Sequence, residues 1–212
     1  MRLALFDLDG TLIDSEAGIV NSIEYALAKL GASSPPRATL RGWIGPPLRA
    51  TFPLVLGDDP ARTEQAVAHY SERFSAVGWR EHRVYDGIGD VVDDLAARGV
   101  ALAVVTTKVE RHAEPIVGSL PFGARFARVY AAAAGSRDSE KATMVARALS
   151  DFGVRAENAV MIGDRHFDIE GARANGVRAI GVGWGFGSHE ELREAGADAI
   201  AATPAELPGL LS

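Results

Sequence analysis

Two carboxylates stand two residues apart at the end of an uncharged apolar run, Leu3-Ala4-Leu5-Phe6-Asp7-Leu8-Asp9-Gly10-Thr11-Leu12. Carboxylates this close repel one another unless a cation or a shared proton relieves them. At the end of a buried strand they could serve phosphoryl transfer. An Asp-rich turn closing the strand, with Gly10 as its permissive residue, would give the same local pattern. A second acidic group follows another apolar run: Ala159-Val160-Met161-Ile162 leads into Gly163-Asp164-Arg165-His166-Phe167-Asp168. Asp164 would leave its strand as Asp7 does, with Asp168 about one helical turn further on. Carboxylate oxygens in a chain without cysteine suit a hard cation. Mg²⁺ fits best, held by a few carboxylates, water and a substrate phosphate.

Two further segments could serve the same chemistry. Thr106-Thr107-Lys108 comes directly after the apolar Val104-Val105. Hydroxyls and free amides at a strand-to-helix junction can bind phosphate oxygens, and they can equally cap a helix. Lys141 sits near an expected helix start, the end the macrodipole disfavours for a cation, which suggests that it balances anionic charge. His166 shows no metal-ligand spacing to the other histidines and reads as a supporting or surface residue.

These residues need elements to hold them. Val100–Val105, Ala159–Ile162 and Ala179–Val182 read as strands, with a weaker, Ala-rich one at Val129–Ala133. Ile88–Arg98, Lys141–Phe152 and Ile169–Asn175 read as helices, and so does the stretch from Val109, which Pro115 should truncate or kink. Ser188 with Glu191, and Thr203 with Glu206, have capping-box spacing. Alternating strands and helices imply a parallel sheet covered on both faces. Residues 16–80 show only helix and turn. Ile19, Ile23, Leu27 and Leu30 share one face of a helix that Gly31 stops, and Asp59-Pro60 opens another carrying Val67, Tyr70, Phe74 and Val77. The expectation is an α/β core of residues 1–15 and 81–212 with a helical insertion, residues 16–80.

With 212 residues, 22 Lys and Arg against 28 Asp and Glu, and no basic block, nucleic-acid binding is not expected of the chain. The absence of cysteine excludes disulfides, thiolate metal sites and Cys nucleophiles. No apolar stretch approaches the ~20 residues a membrane span requires, and no signal peptide is read. A cytoplasmic protein is the expectation, its oligomeric state unread.

The order of motifs resembles the four signatures of the haloacid dehalogenase-like (HAD) hydrolase superfamily. These are Asp-Leu-Asp-Gly-Thr-Leu, a strand-terminal Thr, a Lys, and Gly-Asp-x-x-x-Asp, spread over essentially the whole chain. The insertion looks like the C1-type cap of phosphoglycolate-phosphatase-like members. Ile44-Gly45-Pro46-Pro47-Leu48, Gly135-Ser136-Arg137-Asp138 through Lys141, and the run from Ile180 to Ser188 resemble a 5′-nucleotidase-like branch. Thr107 departs from the Asn of many phosphoglycolate phosphatases. The resemblance implies a Rossmann-like parallel sheet and a phosphatase acting on a small-molecule phosphomonoester. Asp7 would be the nucleophile and Asp9 the acid and base. Mg²⁺ would be held by Asp7, the Asp9 carbonyl and Asp164, with Asp168 in support. Gly10, Thr106, Thr107 and Lys141 would hold the phosphoryl group, and Arg49, beside the Gly-Pro-Pro turn, would meet a substrate anion. A sugar-phosphate mutase of the same superfamily and a catalytically silent binding protein are the alternative readings.

Overall fold

The computed structural model describes residues 1–132 and 140–211. Ala133 and the motif residues Gly135, Ser136, Arg137 and Asp138 lie outside the described residues. The chain forms two compact units, Met1–Asp14 with Val84–Ser212, and Ser15–Arg83.

Among the described residues, eight strands run β1 (Leu3–Phe6), β2 (Ile13–Asp14), β3 (Arg83–Val84), β4 (Ala101–Val109), β5 (Arg128–Ala132), β6 (Ala159–Gly163), β7 (Arg178–Val182) and β8 (Ala199–Ala201). Six of them make one sheet in the order β5-β4-β1-β6-β7-β8, with every pairing parallel. All four residues of β1 are fully buried, as expected of a central strand covered on both faces. Its register sets Phe6 beside Val104 on one neighbour and Ile162 on the other. The chain therefore leaves β1, β4 and β6 along one edge of the sheet, the edge at which open α/β sheets bind ligands. The short strand β8 was not expected. It is only three residues long, too short for a period-2 pattern to register.

The second unit is helical: α1 (Glu16–Lys29), α2 (Arg37–Arg41), α3 (Leu48–Thr51), α4 (Pro53–Leu56) and α5 (Pro60–Ala76). Asp59 caps α5, its carboxylate accepting the amides of Ala61 and Arg62 at 3.0 and 3.1 Å. Thr63, Ala66 and Phe74 form the buried side of α5. Val77 does not belong to it as expected, because the helix ends at Ala76 and Val77 is exposed. Arg73 makes two hydrogen bonds to Glu81, at 2.8 and 2.9 Å, and one to the Ser22 hydroxyl of α1 at 3.2 Å.

The sheet unit carries α6 (Ile88–Ala97), α7 (Glu110–Ser119), α8 (Lys141–Phe152), α9 (His166–Arg173), α10 (His189–Glu194) and α11 (Leu207–Leu210). Leu3, Leu5, Ala103, Val105 and Met161 pack with Met144, Val145 and Ala148 of α8 and with Ile169, Ala172 and Leu192. Pro115, expected to truncate or kink this helix, does not truncate it: α7 continues for four residues beyond it, to Ser119. The proline removes one backbone donor inside the helix. Ser188 caps α10 by accepting the Glu191 amide at 3.0 Å. The Thr203 side chain makes no such cap; Glu206 accepts the Ala202 amide instead.

Candidate active site

The ladder of β1 continues one residue past its end, the Asp7 amide donating to the Ile162 carbonyl at 2.9 Å. This fixes the Asp7 backbone at the sheet edge and buries its side chain. The loop then turns through Gly10 at φ +83°, a left-handed conformation that favours glycine. Space demands glycine there too, since a Cβ would stand 2.2 Å from Asp164 Oδ2.

Asp164 follows β6 directly and is fully buried. Its Oδ2 accepts the Phe186 amide at 2.7 Å, while Oδ1 has no hydrogen-bond partner among the described residues. Asp168, in the first turn of α9, accepts the Arg165 amide on Oδ2 at 3.0 Å and meets Lys141 Nζ with Oδ1 at 2.7 Å. Lys141 opens α8 but is buried. Its ammonium donates to Asp7 Oδ1 and to the Val105 carbonyl, both at 2.8 Å. The sign problem read from the sequence is thereby resolved: the cation sits at a helix start because two carboxylates lie there. Gly171 makes room for its stem, since a Cβ there would come within 2.9 Å of the Lys141 Cβ.

Asp7, Asp164 and Asp168 each bring a carboxylate oxygen within 4.8 Å of the others, and all three are buried. One lysine against three carboxylates leaves uncompensated negative charge. Burial pushes the Asp7 carboxyl up to about 7; the Lys141 charge opposes this, while Asp168 and Asp9 add to it. Asp164 is raised well above the ordinary carboxylate range by burial, then by the charges of Asp7 and Asp168, against the Phe186 hydrogen bond. Burial disfavours the Lys141 charge, but Asp168 and Asp7 outweigh it and raise its pKa. Such a buried, oxygen-only donor set with an unpartnered oxygen fits a hard divalent cation such as Mg²⁺.

The Asp9 side chain stands outside this trio. Its Oδ2 lies 3.1 Å from the ammonium of Lys108, a residue not among the expected site residues. β4 runs on to Val109 instead of ending at Val105, so Thr106 and Thr107 do not cap a helix. The pairing of β4 with β5 is irregular between Thr106 and Val109. Thr106 is buried, and its Oγ1 accepts the Lys108 amide at 3.1 Å, whereas Thr107 is exposed. Neither hydroxyl donates to protein among the described residues.

The run from Gly183 to Gly187 also contributes more than its glycines suggested. A Cβ at Gly185 would lie 2.5 Å from both Asp164 Oδ2 and the Gly10 carbonyl. Trp184 Nε1 donates to the Thr11 carbonyl at 3.2 Å. Alternation of glycine with bulky aromatics is the signal for a segment wrapped closely on other backbone. His166 is held by Glu191 at 2.7 Å and does not join the carboxylate trio. Burial opposes charge on Glu191, yet hydrogen bonds from the His166 amide, Arg165 and the His166 ring lower its pKa to about 2. Arg49 belongs to the helical unit, where it is exposed and grips Glu64 with two hydrogen bonds, at 2.6 and 2.8 Å.

Comparison with known proteins agrees with this geometry. A 5′-nucleotidase of Pseudomonas aeruginosa is 44% identical over 189 residues, which span 89% of this chain and 86% of that protein. The tyrosine-protein kinase PtkA of Mycobacterium tuberculosis is 37% identical over 187 residues, spanning 88% of this chain and 63% of that one. A haloacid dehalogenase-like family hydrolase from Streptococcus pneumoniae superposes with a TM-score of 0.93 at 32% identity, covering 100% of this chain and 99% of that one. The family model described as haloacid dehalogenase-like hydrolase matches residues 4–182. The chain belongs to the haloacid dehalogenase-like hydrolases, and it is an enzyme of that family.

Proposed function

We propose that the protein is a Mg²⁺-dependent phosphatase that hydrolyses a small phosphomonoester through a phosphorylated Asp7. The observation that carries this reading is the buried trio Asp7, Asp164 and Asp168 closed by Lys141 at the sheet edge. A carboxylate makes a useful nucleophile here because its phosphoryl anhydride is itself reactive towards water. Asp7 Oδ1 is tied to Lys141, which orients the carboxylate and offers positive charge where phosphoryl oxygens gather. Asp9, on the same loop, gives a proton to the leaving oxygen and later takes one from the attacking water. Asp7, Asp164 and the Asp9 carbonyl would hold the cation, with Asp168 steadying Lys141. When bound, Mg²⁺ supplies charge that offsets the crowded carboxylates and the phosphoryl oxygens. Thr106 and the Thr107 amide complete the phosphate contacts; the Gly10 amide donates to the Ile13 carbonyl at 2.8 Å and would have to leave it to join them.

Similarity to a protein named 5′-nucleotidase puts nucleoside monophosphates first among substrates, ahead of phosphoglycolate and sugar phosphates. Arg49 is a further contact for the substrate's own anion, for which it must release Glu64. Phosphate release across these esters, with and without Mg²⁺, tests the function. Asp7→Asn is expected to abolish release, because an amide is a poor nucleophile and lacks the charge of a metal ligand. Wild-type turnover in that variant would exclude the covalent route.

A further inference from the structure

Asp9 exposes its two oxygens to different surroundings. Oδ2 lies 3.1 Å from the ammonium of Lys108, whose side chain is only 7% exposed. Oδ1 is buried with no hydrogen-bond partner among the described residues. We propose that Lys108 is a positioning residue: it anchors Oδ2 so that Oδ1 is the oxygen that carries the proton to and from the leaving group. This rests on the reading of Asp9 as acid and base.

Lys108 reaches this place through the backbone of β4. The strand overruns its regular pairing with β5, and the Thr106 hydroxyl accepts the Lys108 amide. An exposed Lys–Asp pair contributes little, because water screens it and two flexible side chains must be ordered. Burial of the Lys108 side chain sets this pair apart from that class. A carboxyl on a turn residue can otherwise rotate and exchange its oxygens, and small errors of placement cost rate steeply.

The reaction divides into two proton transfers. An Asp7 oxygen bonds to phosphorus as the bond to the leaving oxygen breaks, and the proton on Asp9 Oδ1 passes to that oxygen, releasing an alcohol. Water then attacks phosphorus, the bond to Asp7 breaks, and the water's proton returns to Oδ1 as phosphate departs. In both halves Oδ2 accepts the same Lys108 hydrogen bond, so the carboxyl keeps its place whether neutral or ionised.

The test compares Lys108→Met, which keeps the stem, with Lys108→Arg and Asp9→Asn, on an alkyl phosphate and on p-nitrophenyl phosphate in the presence of Mg²⁺. Lys108→Met is expected to lose about tenfold to a hundredfold in kcat on the alkyl ester and less than about threefold on the nitrophenyl ester, whose leaving group needs no proton. Added to Asp9→Asn, it is expected to cost less than about a further twofold, since the two groups act as one unit. Lys108→Arg should restore most of the loss, and Mg²⁺ affinity by calorimetry should stay within about twofold of wild type in both Lys108 variants. Equal losses on both esters, a full loss on top of Asp9→Asn, no rescue by arginine, or weakened Mg²⁺ binding would overturn the proposal. If Lys108→Met does not fold, Lys108→Gln decides: a loss selective for the alkyl ester supports the proposal, and equal losses on both esters or no loss on either overturn it. A leaving-group-independent loss in Asp9→Asn itself would instead show that the reading of Asp9 is wrong, and the proposal falls with it.

Discussion

Backbone from two separate segments crowds the Asp164 carboxylate: Gly10 from one, and from the other Gly185 together with the Phe186 amide on Oδ2. Gly10→Ala would force a methyl group to within 2.2 Å of Oδ2 while also occupying a left-handed backbone conformation. The backbone penalty alone is roughly 1–2 kcal/mol, and displacement of Asp164 adds to it. We expect a lower melting temperature together with weaker Mg²⁺ binding, measured by thermal unfolding and calorimetry; unchanged affinity would mean that Asp164 does not set the cation site. Residue types alone told much at this scale. Lys141 was conspicuous because a lysine opening a helix opposes the dipole, and Asp7 and Asp164 because each ends an apolar run. Lys108 was not, because a lysine after two threonines has an ordinary solvated alternative and its partner lies far away in the chain.

Elements add what residue types leave out. The strand expected to end at Val105 extends to Val109, and that extension carries Lys108 and buries Thr106. No alternation in Thr106-Thr107-Lys108 signals it, since the continuation depends on pairing with β5. The Asp59 cap, by contrast, was legible in the Asp-Pro dipeptide. Asp59→Ala is expected to cost about 1 kcal/mol, read from denaturant unfolding. In α7, burial and the charges of Arg111 and Lys108 lower the His112 pKa to about 4. The folded chain thus keeps this imidazole neutral where the unfolded chain protonates it. The contribution is complete above about pH 6.5 and is lost progressively as pH falls towards 4. Replacing His112 with Gln should flatten that part of the stability–pH curve; an unchanged slope would locate the acid sensitivity elsewhere.

At the scale of the molecule, the parallel sheet followed from alternating periodicity, although β8 was too short to be seen. No helix among the described residues is long and apolar enough to cross a membrane. Under the proposed function, the carboxylate trio would couple the fold to a bound cation. Burial raises Asp7 to about 7, so without metal the folded state holds a proton that the unfolded chain releases above about pH 4. Asp7 should therefore lower the stability of the metal-free protein as pH rises between those values, opposing the His112 contribution over the same range, and a bound cation, which favours the ionised form, should remove the Asp7 part of the slope. The rise in melting temperature on adding Mg²⁺ is expected to be small at the acid end of that range and larger above it. An increment independent of pH would mean that these carboxylates are ionised before the metal arrives.

The central position of β1 also bears on how the protein is made. Leu3–Phe6 leaves the ribosome before both of its sheet neighbours, Ala101–Val109 and Ala159–Gly163. An apolar strand with both edges open must wait until both have been made before it is sheathed, a state exposed to association with other nascent chains. Asp7 at its tip gains its lysine only after Lys141, and the buried neighbour Asp164 comes later still. Chains stalled before that point carry the proposed nucleophile in an open strand end, so the proposed site is assembled only as the sheet closes.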